Sequence, residues 1–523
     1  MKVNLYYAPF PSQTFEGYDH PVNTERPLNP KSALPTLAAG IRQHGPALGL
    51  DCDVEIVDMQ LGGERTWYKT IDYGPERLAC HRLGTPFEAC DDTIRSADVH
   101  GLTSNFTNGA QVVADLASHI KQVSPHSTVV AGGVDATARP RYYLDRGADI
   151  VVQGEADHVF PQVLRAVAAG EDLRTVPQVL TRDDPEPGHY RQASVLDMNA
   201  LEPMALDLVG DLSLYTDTAE GPPPPGVEPN YICFETSRGC AWRCSFCTAP
   251  SRGRYRFMTP DVVDRHFRHF KEMGVNTIVW QEDNPLSRIQ ETVGGRAVHD
   301  EGREELLEIF RMARSHGFAW EFANGIEFGK FRVDGKIDVE LMDALLWNEQ
   351  TDGGWRGCYR VQIPLDNMNL AKLRFPKLLA FGEQLEVLSA MLDYGVAHQT
   401  YDLFIGYPEH SVEVVDQFTA GCLQIRDTLS RQSPATYRPY FNVFTLALLP
   451  GARDYETLRH LLAFDVDRDP EVIAIFLSAI NTDHLSYWDA FCRRVEMTNR
   501  LNDGADIATY DGIYTGPASA RIG

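Results

Sequence analysis

Three cysteines in one short segment are the residues whose types and spacing most clearly specify chemistry. They stand in Ser237-Arg238-Gly239-Cys240-Ala241-Trp242-Arg243-Cys244-Ser245-Phe246-Cys247, separated by three and then two residues. Thiolates are soft ligands, and a loop this tight can wrap one face of a cubane so that each sulfur meets a different iron. Three protein ligands on a [4Fe-4S] cluster leave the fourth iron open, where a small molecule can chelate through an amine and a carboxylate. A closed zinc site would need a fourth ligand. The nearest histidines downstream, His266 and His269, fall inside a helical pattern. The other seven cysteines, Cys52, Cys80, Cys90, Cys233, Cys358, Cys422 and Cys492, are scattered singly and read as small buried apolar residues.

The elements around the cluster must position it. It follows the strand candidate Tyr231–Glu235. Further strand candidates are Thr277–Gln281, Ala319–Ala323, Tyr359–Ile363, Thr400–Ile405 and Tyr440–Leu446, with helical patterns between most of them. Six such units suggest a partial or complete barrel. Ahead of them, strands are expected at Val3–Ala8, Val54–Asp58, Asp98–Thr103, Thr128–Ala131 and Asp149–Val152. Helices are expected at Leu34–Leu48, Gln111–Val123 and Phe160–Ala169. This alternation predicts a mostly parallel sheet, whose ligands sit beyond the carboxyl ends of its strands. The turn-rich Asp183-Asp184-Pro185-Glu186-Pro187-Gly188 and the stiff Gly221-Pro222-Pro223-Pro224-Pro225-Gly226 mark a connector. The expected division is therefore a first domain over 1–175, a linker over 176–230, a second domain over 231–452 and a mostly helical region over 453–523. In that last region Pro470–Ala479 and Tyr487–Met497 are periodic, and the tail after Leu501 is Gly-rich.

Composition bounds the partners. The 523 residues are 43% apolar and 23% charged, as in soluble globular proteins, and carry a net charge of −25. Such a surface repels phosphate backbones, so nucleic acid is not expected. No apolar run reaches the roughly 18 residues of a membrane span. The opening Met1-Lys2-Val3-Asn4-Leu5-Tyr6-Tyr7 lacks the apolar core and cleavage site of a signal peptide. A cytoplasmic location with free thiols is the expectation.

The cysteine spacing, with Phe246 just before the last cysteine, resembles the signature of the radical S-adenosylmethionine superfamily. The resemblance continues through Gly274-Val275 and Ile278-Val279-Trp280-Gln281-Glu282-Asp283-Asn284, similar to the family's second strand, whose acidic end contacts the methionine amine. Asn324-Gly325 ends a third strand in a family-like way. Gln362 stands on the fourth, followed by Pro364-Leu365-Asp366 where the family more often has Glu-Ser-Gly. Ile405-Gly406-Tyr407-Pro408-Glu409 and Leu449-Pro450-Gly451 resemble later family turns, so the likeness covers about 231–455. It implies a [4Fe-4S] cluster on Cys240, Cys244 and Cys247, and S-adenosylmethionine held by Phe246, Glu282, Asp283, Asn324 and Gln362.

The preceding domain resembles the cobalamin-binding domain of cobalamin-dependent radical S-adenosylmethionine enzymes. The resemblance rests on Gly101-Leu102-Thr103-Ser104-Asn105, on Ala131-Gly132-Gly133-Val134-Asp135-Ala136, and on Asp149-Ile150-Val151-Val152-Gln153-Gly154-Glu155-Ala156-Asp157. It implies cobalamin contacts at Thr103, Ser104, Asn105, Gly132, Gly133, Val134, Gly154 and Glu155, since glycines admit a nucleotide tail against the backbone. The Asp-x-His-x-x-Gly motif is absent, Asp19-His20-Pro21 being the nearest fragment, so no histidine is expected beneath cobalt. The implied fold is a Rossmann-like doubly wound domain, then a partial (β/α)6 TIM-like barrel and a small helical C-terminal region. The implied activity is methyl transfer to an unactivated carbon, or a phosphinate phosphorus, of a small-molecule natural product, as in antibiotic biosynthesis. Flavodoxin or ferredoxin would donate the electron. A cyclase or rearrangement enzyme without net methylation, a radical enzyme with an empty first domain, and a non-enzymatic iron–sulfur scaffold or sensor remain alternatives. Tyr437, Arg438, Tyr440 and Asn442 are read equally as pocket lining or as core. No catalytic acid or base stands out.

Overall fold

A computed structural model describes residues 1–18, 21–22, 30–184, 196–217, 223–289, 292–293, 296–297, 301–351, 354–366, 379–396 and 398–502. The Asp19-His20 fragment, Pro185–Gly188 of the turn-rich stretch, Gly221-Pro222 and the tail beyond Asn502 lie outside the described residues. The chain divides into two compact units. The first is Met1–Leu214 with Phe246–Gly253 and Leu448–Ala474. The second is Tyr215–Ser245 with Arg254–Ala447 and Ile475–Gly523.

The first unit is built on a six-stranded sheet. Strands β1 (Lys2–Tyr7), β3 (Asp53–Asp58), β6 (Val99–Thr103), β7 (Thr128–Gly132) and β8 (Ile150–Val152) run parallel in the order β3-β1-β6-β7-β8, and β9 (Val179–Thr181) adds an antiparallel edge. The order reverses between β1 and β6, the place where open α/β sheets take ligands. Helices cover both faces because the strands are apolar on both sides. One face carries α2 (Asp91–Arg95), α3 (Ala110–Val123), α4 (Val134–Ala138) and α5 (Pro140–Leu144). Its core includes Val112, Val113, Leu116 and Ile120 of α3, spaced to face the sheet as a single stripe. The other face carries α1 (Ala33–His44) and α6 (Phe160–Ala169), packed through Leu34, Ala38, Ile41, Phe160, Val163 and Leu164.

The structure also shows an element that strand–helix alternation did not suggest. Strands β2 (Phe10–Phe15), β4 (Glu64–Tyr73) and β5 (Glu76–Gly84) form a separate antiparallel sheet. Its hairpin turns at Gly74, whose φ of +65° suits glycine. Against this sheet packs the later segment around α12 (Arg453–Leu458). Phe464 stacks on Tyr73 at 5.7 Å, and Glu471 accepts hydrogen bonds from Tyr68 Oη at 3.1 Å and Lys69 Nζ at 3.0 Å. The helix expected over Pro470–Ala479 does not form. A 3-10 turn at Pro470–Val472 gives way to irregular backbone. Glu471 is fully buried, and a buried carboxylate must face its partners, which overrides the local periodicity.

The second unit is a partial barrel. Six parallel strands follow in sequence order: β10 (Tyr231–Phe234), β13 (Thr277–Trp280), β16 (Ala319–Phe322), β20 (Gly354–Asp366), β21 (His398–Ile405) and β22 (Arg438–Thr445). Among the described residues β22 pairs only with β21 and β10 only with β13, so the sheet stays open. Strand β19 (Asn348–Thr351) pairs antiparallel with β20. Short antiparallel pairs are β11 (Ser237–Arg238) with β12 (Arg256–Phe257), β14 (Thr292–Val293) with β15 (Arg296–Ala297), and β17 (Arg332–Val333) with β18 (Lys336–Ile337). Helices α7 (Pro260–Glu272), α8 (Gly302–Ser315), α9 (Val339–Leu346), α10 (Phe381–Asp393) and α11 (Val412–Gln432) connect the barrel strands, and α13 (Tyr487–Leu501) packs on β22. Rings bind helices to sheet, with Phe234 edge-on to Phe270 at 5.0 Å and Phe310 against Trp280 at 5.0 Å and Trp320 at 5.7 Å. No helix among the described residues is long and apolar enough to cross a membrane.

Removing the Glu471 carboxylate leaves the buried Tyr68 hydroxyl without its acceptor and takes one of two carboxylates from Lys69, which keeps Asp469 at 3.1 Å. Glu471→Ala is therefore expected to destabilise the first unit by about 1–3 kcal/mol, read as a lower urea midpoint. An unchanged midpoint would contradict the docking of this segment on β4.

Candidate functional site

The cysteine loop leaves the carboxyl end of β10 and is tied at its base by the β11–β12 pair. Gly239 opens it at φ +83°, where a Cβ would press on the Arg254 carbonyl at 3.1 Å. The loop is held from beneath by the segment that follows β13. Asp283 Oδ2 accepts from Gly239 N at 2.9 Å, and Ser287 Oγ accepts from Ala241 N at 3.1 Å. Glu327 accepts from Trp242 Nε1 at 2.9 Å and from Asn284 Nδ2 at 2.7 Å. Thus the cysteine loop is fixed chiefly by side chains of other strand ends.

Glu282, which the resemblance places on the methionine amine, turns its side chain to the end of β10. It is buried, and its carboxylate accepts from Thr236 N at 2.8 Å and from the hydroxyls of Thr236 and Ser237. Burial pushes its carboxyl above the ordinary range, against the lowering effect of these bonds. Its acceptor capacity is thus spent on the end of β10. Asp283 is half-buried and borders the loop itself.

The thiols differ in kind. Cys240, Cys244 and Cys247 are partly exposed, as are Cys52 and Cys492, while Cys80, Cys90, Cys233, Cys358 and Cys422 are buried. Burial pushes the thiols of Cys80, Cys90, Cys358 and Cys422 upward, away from thiolate character. Cys240 Sγ accepts from Trp242 N at 3.4 Å, with Asn284 Nδ2 at 3.9 Å and Ser287 Oγ at 3.8 Å. Cys247 Sγ accepts from Ala249 N at 3.3 Å. Donors aimed at sulfur favour thiolate and tune a bound cluster, so these residues fit an iron–sulfur group. Among the described residues no three His, Cys, Asp or Glu side chains gather as a single ion would require. The irons of a cubane are separate points, and its ligands need not converge.

At the next strand ends, Asn324 is exposed and donates to the Gln281 carbonyl at 2.9 Å. Gln362 is buried on β20 with its backbone carbonyl accepting from Ile326 N at 3.0 Å. Its side-chain Oε1 has no hydrogen-bond partner among the described residues, an orphaned acceptor of the kind a bound hydroxyl satisfies. Tyr437 belongs to packing, since its hydroxyl bonds Tyr401 at 2.8 Å. Arg438 is exposed and turned back on the Tyr437 and Ala435 carbonyls. Asn442 donates to Asp402 at 3.2 Å.

In the first unit the expected strand-end residues converge on one place. Ser104 N donates to the Gly132 carbonyl at 2.8 Å, and the Ser104 carbonyl accepts from Asp135 N at 3.1 Å. Asn105 Oδ1 accepts from Val134 N at 3.3 Å. Gly133 sits at φ +105°, ψ 178°, and a Cβ there would lie 2.4 Å from the Ser104 carbonyl. Gly132 has more room, its nearest neighbour being 3.8 Å away. Gly154 stands beside them at φ +78° with its N–H on Thr137 Oγ1 at 2.8 Å, and Glu155 is half-buried. The Ser104 side chain turns inward. Tyr143 donates its one proton to Asp135 at 2.5 Å, so it must accept from Ser104 Oγ at 2.7 Å. Thr107 and Arg139 also bond Asp135, at 2.6 and 2.7 Å. Thr103, Asn105, Gly132, Gly133 and Val134 keep partial or full exposure at the carboxyl end of the sheet, a surface fit to receive a flat cofactor.

The radical SAM superfamily model matches residues 234–418, and the B12 binding domain model matches residues 82–164. The hopanoid C-3 methylase of Methylococcus capsulatus is 31% identical over 293 residues, 53% of this chain and 50% of that protein. The chain thus spans about half the length of that relative. Among solved structures, the radical S-adenosylmethionine methyltransferase TsrM from Kitasatospora setae, with tryptophan and a SAM analogue bound, has a TM-score of 0.56 at 14% identity, covering 87% of this chain and 75% of its own. The cobalamin-dependent S-adenosylmethionine radical enzyme OxsB, with aqua-cobalamin and S-adenosylmethionine bound, has a TM-score of 0.61 at 13% identity, covering 95% and 65%. These two likenesses establish the fold.

Two outcomes are expected. Glu282→Ala leaves donors of Thr236 and Ser237 without their acceptor, at about 1–3 kcal/mol for each buried group. Reconstituted protein should then hold clearly less iron although every thiol remains, and wild-type iron content would count against this role. Gly133→Ala should lower the melting temperature by several degrees because only glycine is at ease at that backbone conformation. Gly132→Ala should lower it far less, and equal losses would sink the distinction.

Proposed function

We propose, on the premise that this chain belongs to the radical S-adenosylmethionine superfamily and carries a B12-binding domain, that it is a cobalamin-dependent methyltransferase. Its substrate would be a small molecule, of natural-product type, methylated at an unactivated carbon or a phosphinate phosphorus. The observation that carries this reading is the cysteine loop fixed at a barrel strand end, in a chain whose first sheet holds a glycine-lined receptive edge.

When bound, the cluster supplies the electron that cleaves S-adenosylmethionine and cobalamin supplies the methyl group. The chain's own residues hold and orient. Cys240, Cys244 and Cys247 take three irons. Backbone N–H groups of Trp242 and Ala249, with Asn284 and Ser287, support the sulfurs of Cys240 and Cys247. Asp283, at the opening of the cysteine loop, would receive the methionine amine. Gln362 offers its unsatisfied Oε1 to a ribose hydroxyl. Asn324 shapes the turn after β16, and Phe246 precedes the last ligand. Thr103, Asn105, Gly132, Gly133, Val134, Gly154 and Glu155 border the cobalamin, with Ser104 fixing their loop from within. A flavodoxin or ferredoxin would deliver the electron.

The test is anaerobic reconstitution with hydroxocobalamin, followed by reductant and S-adenosylmethionine carrying a deuterated methyl group. The expected result is 5′-deoxyadenosine together with deuterated methylcobalamin. Cys240→Ala, Cys244→Ala and Cys247→Ala should each abolish the 5′-deoxyadenosine. Formation of 5′-deoxyadenosine with no label on cobalamin would contradict methyl transfer and leave a radical rearrangement. A full cluster in the cysteine variants would contradict the ligand assignment.

A further inference from the structure

Phe106 is 72% exposed, more than any other large apolar side chain among the described residues. It lies in the loop that leaves the carboxyl end of β6, beside the reversal of strand order. Its exposure is not that of a loose end, because the backbone on both sides is pinned. Ser104 is bonded to Gly132 and Asp135, at 2.8 and 3.1 Å. Asn105 Oδ1 caps Val134 N at 3.3 Å. Thr107, itself buried, donates to Asp135 at 2.6 Å. The Phe106 carbonyl accepts from Gly109 N at 3.1 Å. The ring is therefore held out at the strand end by neighbours that are themselves bonded to the rest of the unit.

Holding a phenylalanine ring in water forgoes the free energy of its burial, which the apolar face of a ligand at this strand end would recover. A flat ring is best covered by another flat surface in an offset stack. The adjacent glycine pair leaves the strand end low enough for an extended macrocycle to approach, and the loop offers no nitrogen or sulfur ligand of its own. We propose that Phe106 is a platform for the corrin ring, packing against its face and supplying contact area without a metal ligand. This inference rests on the cobalamin reading above and adds to it a specific binding residue.

The test is titration of hydroxocobalamin into the full-length reconstituted protein, followed by quenching of tryptophan fluorescence. Phe106→Ala should weaken binding about tenfold or more. Phe106→Tyr, which keeps the flat ring, should stay within about threefold of wild type. Melting temperatures without cobalamin should match for all three proteins, since the ring is largely exposed in the free chain. Wild-type affinity in Phe106→Ala, or an equal loss in Phe106→Tyr, would overturn the platform role while leaving the cobalamin reading intact. Absence of saturable binding by the wild-type protein would instead overturn the cobalamin reading itself.

Discussion

The buried carboxylate of Glu282 is the contact on which the geometry of the second unit's site depends. It sits at the end of β13 and receives the Thr236 amide and the hydroxyls of Thr236 and Ser237 at the end of β10. A carboxylate held in so dry a place is costly unless every lone pair is answered. Here the answer comes from the two residues that lead into the cysteine loop. The next side chain, Asp283, then reaches the Gly239 amide at the start of that loop. Two adjacent acids on one strand end thus fix where the loop begins, and Ser287, Asn284 and Glu327 fix its course. Cysteine loops need such support because their own backbone forms no ladder.

The first unit solves a similar problem with another buried carboxylate. Asp135 gathers Thr107, Tyr143 and Arg139, and its backbone amide meets the Ser104 carbonyl. Arg139 continues to the Val466 carbonyl at 3.2 Å and to Asp467 at 3.1 Å. A residue segment far along the chain therefore belongs to the scaffold that sets the strand-end loops of the first sheet. Lys69 and Glu471 hold the same segment to β4. In both units, then, the strand-end loops are placed by buried carboxyl groups, Glu282 in one and Asp135 in the other.

Much of this was legible in the sequence, for physical reasons. The barrel strands announced themselves as short apolar runs at regular spacing, because a strand buried on both faces must be apolar throughout. The cysteine spacing stood apart because few other arrangements put three thiols within one loop. What escaped was set by distant partners. The β4–β5 hairpin alternates weakly, with Trp67 exposed and Tyr68 half-buried, and reads as a strand pair only once its sheet is seen. Pro470–Ala479 carries helical periodicity, yet Glu471 is drawn to Lys69 and Tyr68. The inward role of Glu282, the inward turn of Ser104, and the support from Asn284, Ser287 and Glu327 are likewise tertiary. The run Thr236-Ser237 just ahead of the loop was the local signal that a buried acceptor would be needed there.

In the proposed function the three cysteines would leave one iron open for S-adenosylmethionine to chelate. The most direct measurement is electron–nuclear double resonance on the reduced, reconstituted protein with S-adenosylmethionine carrying nitrogen-15 in its amino group. The account predicts a nitrogen-15 coupling to the cluster spin that appears with the labelled molecule and is absent with unlabelled material. A reduced [4Fe-4S] signal that S-adenosylmethionine leaves unchanged, with no nitrogen-15 coupling, would contradict it.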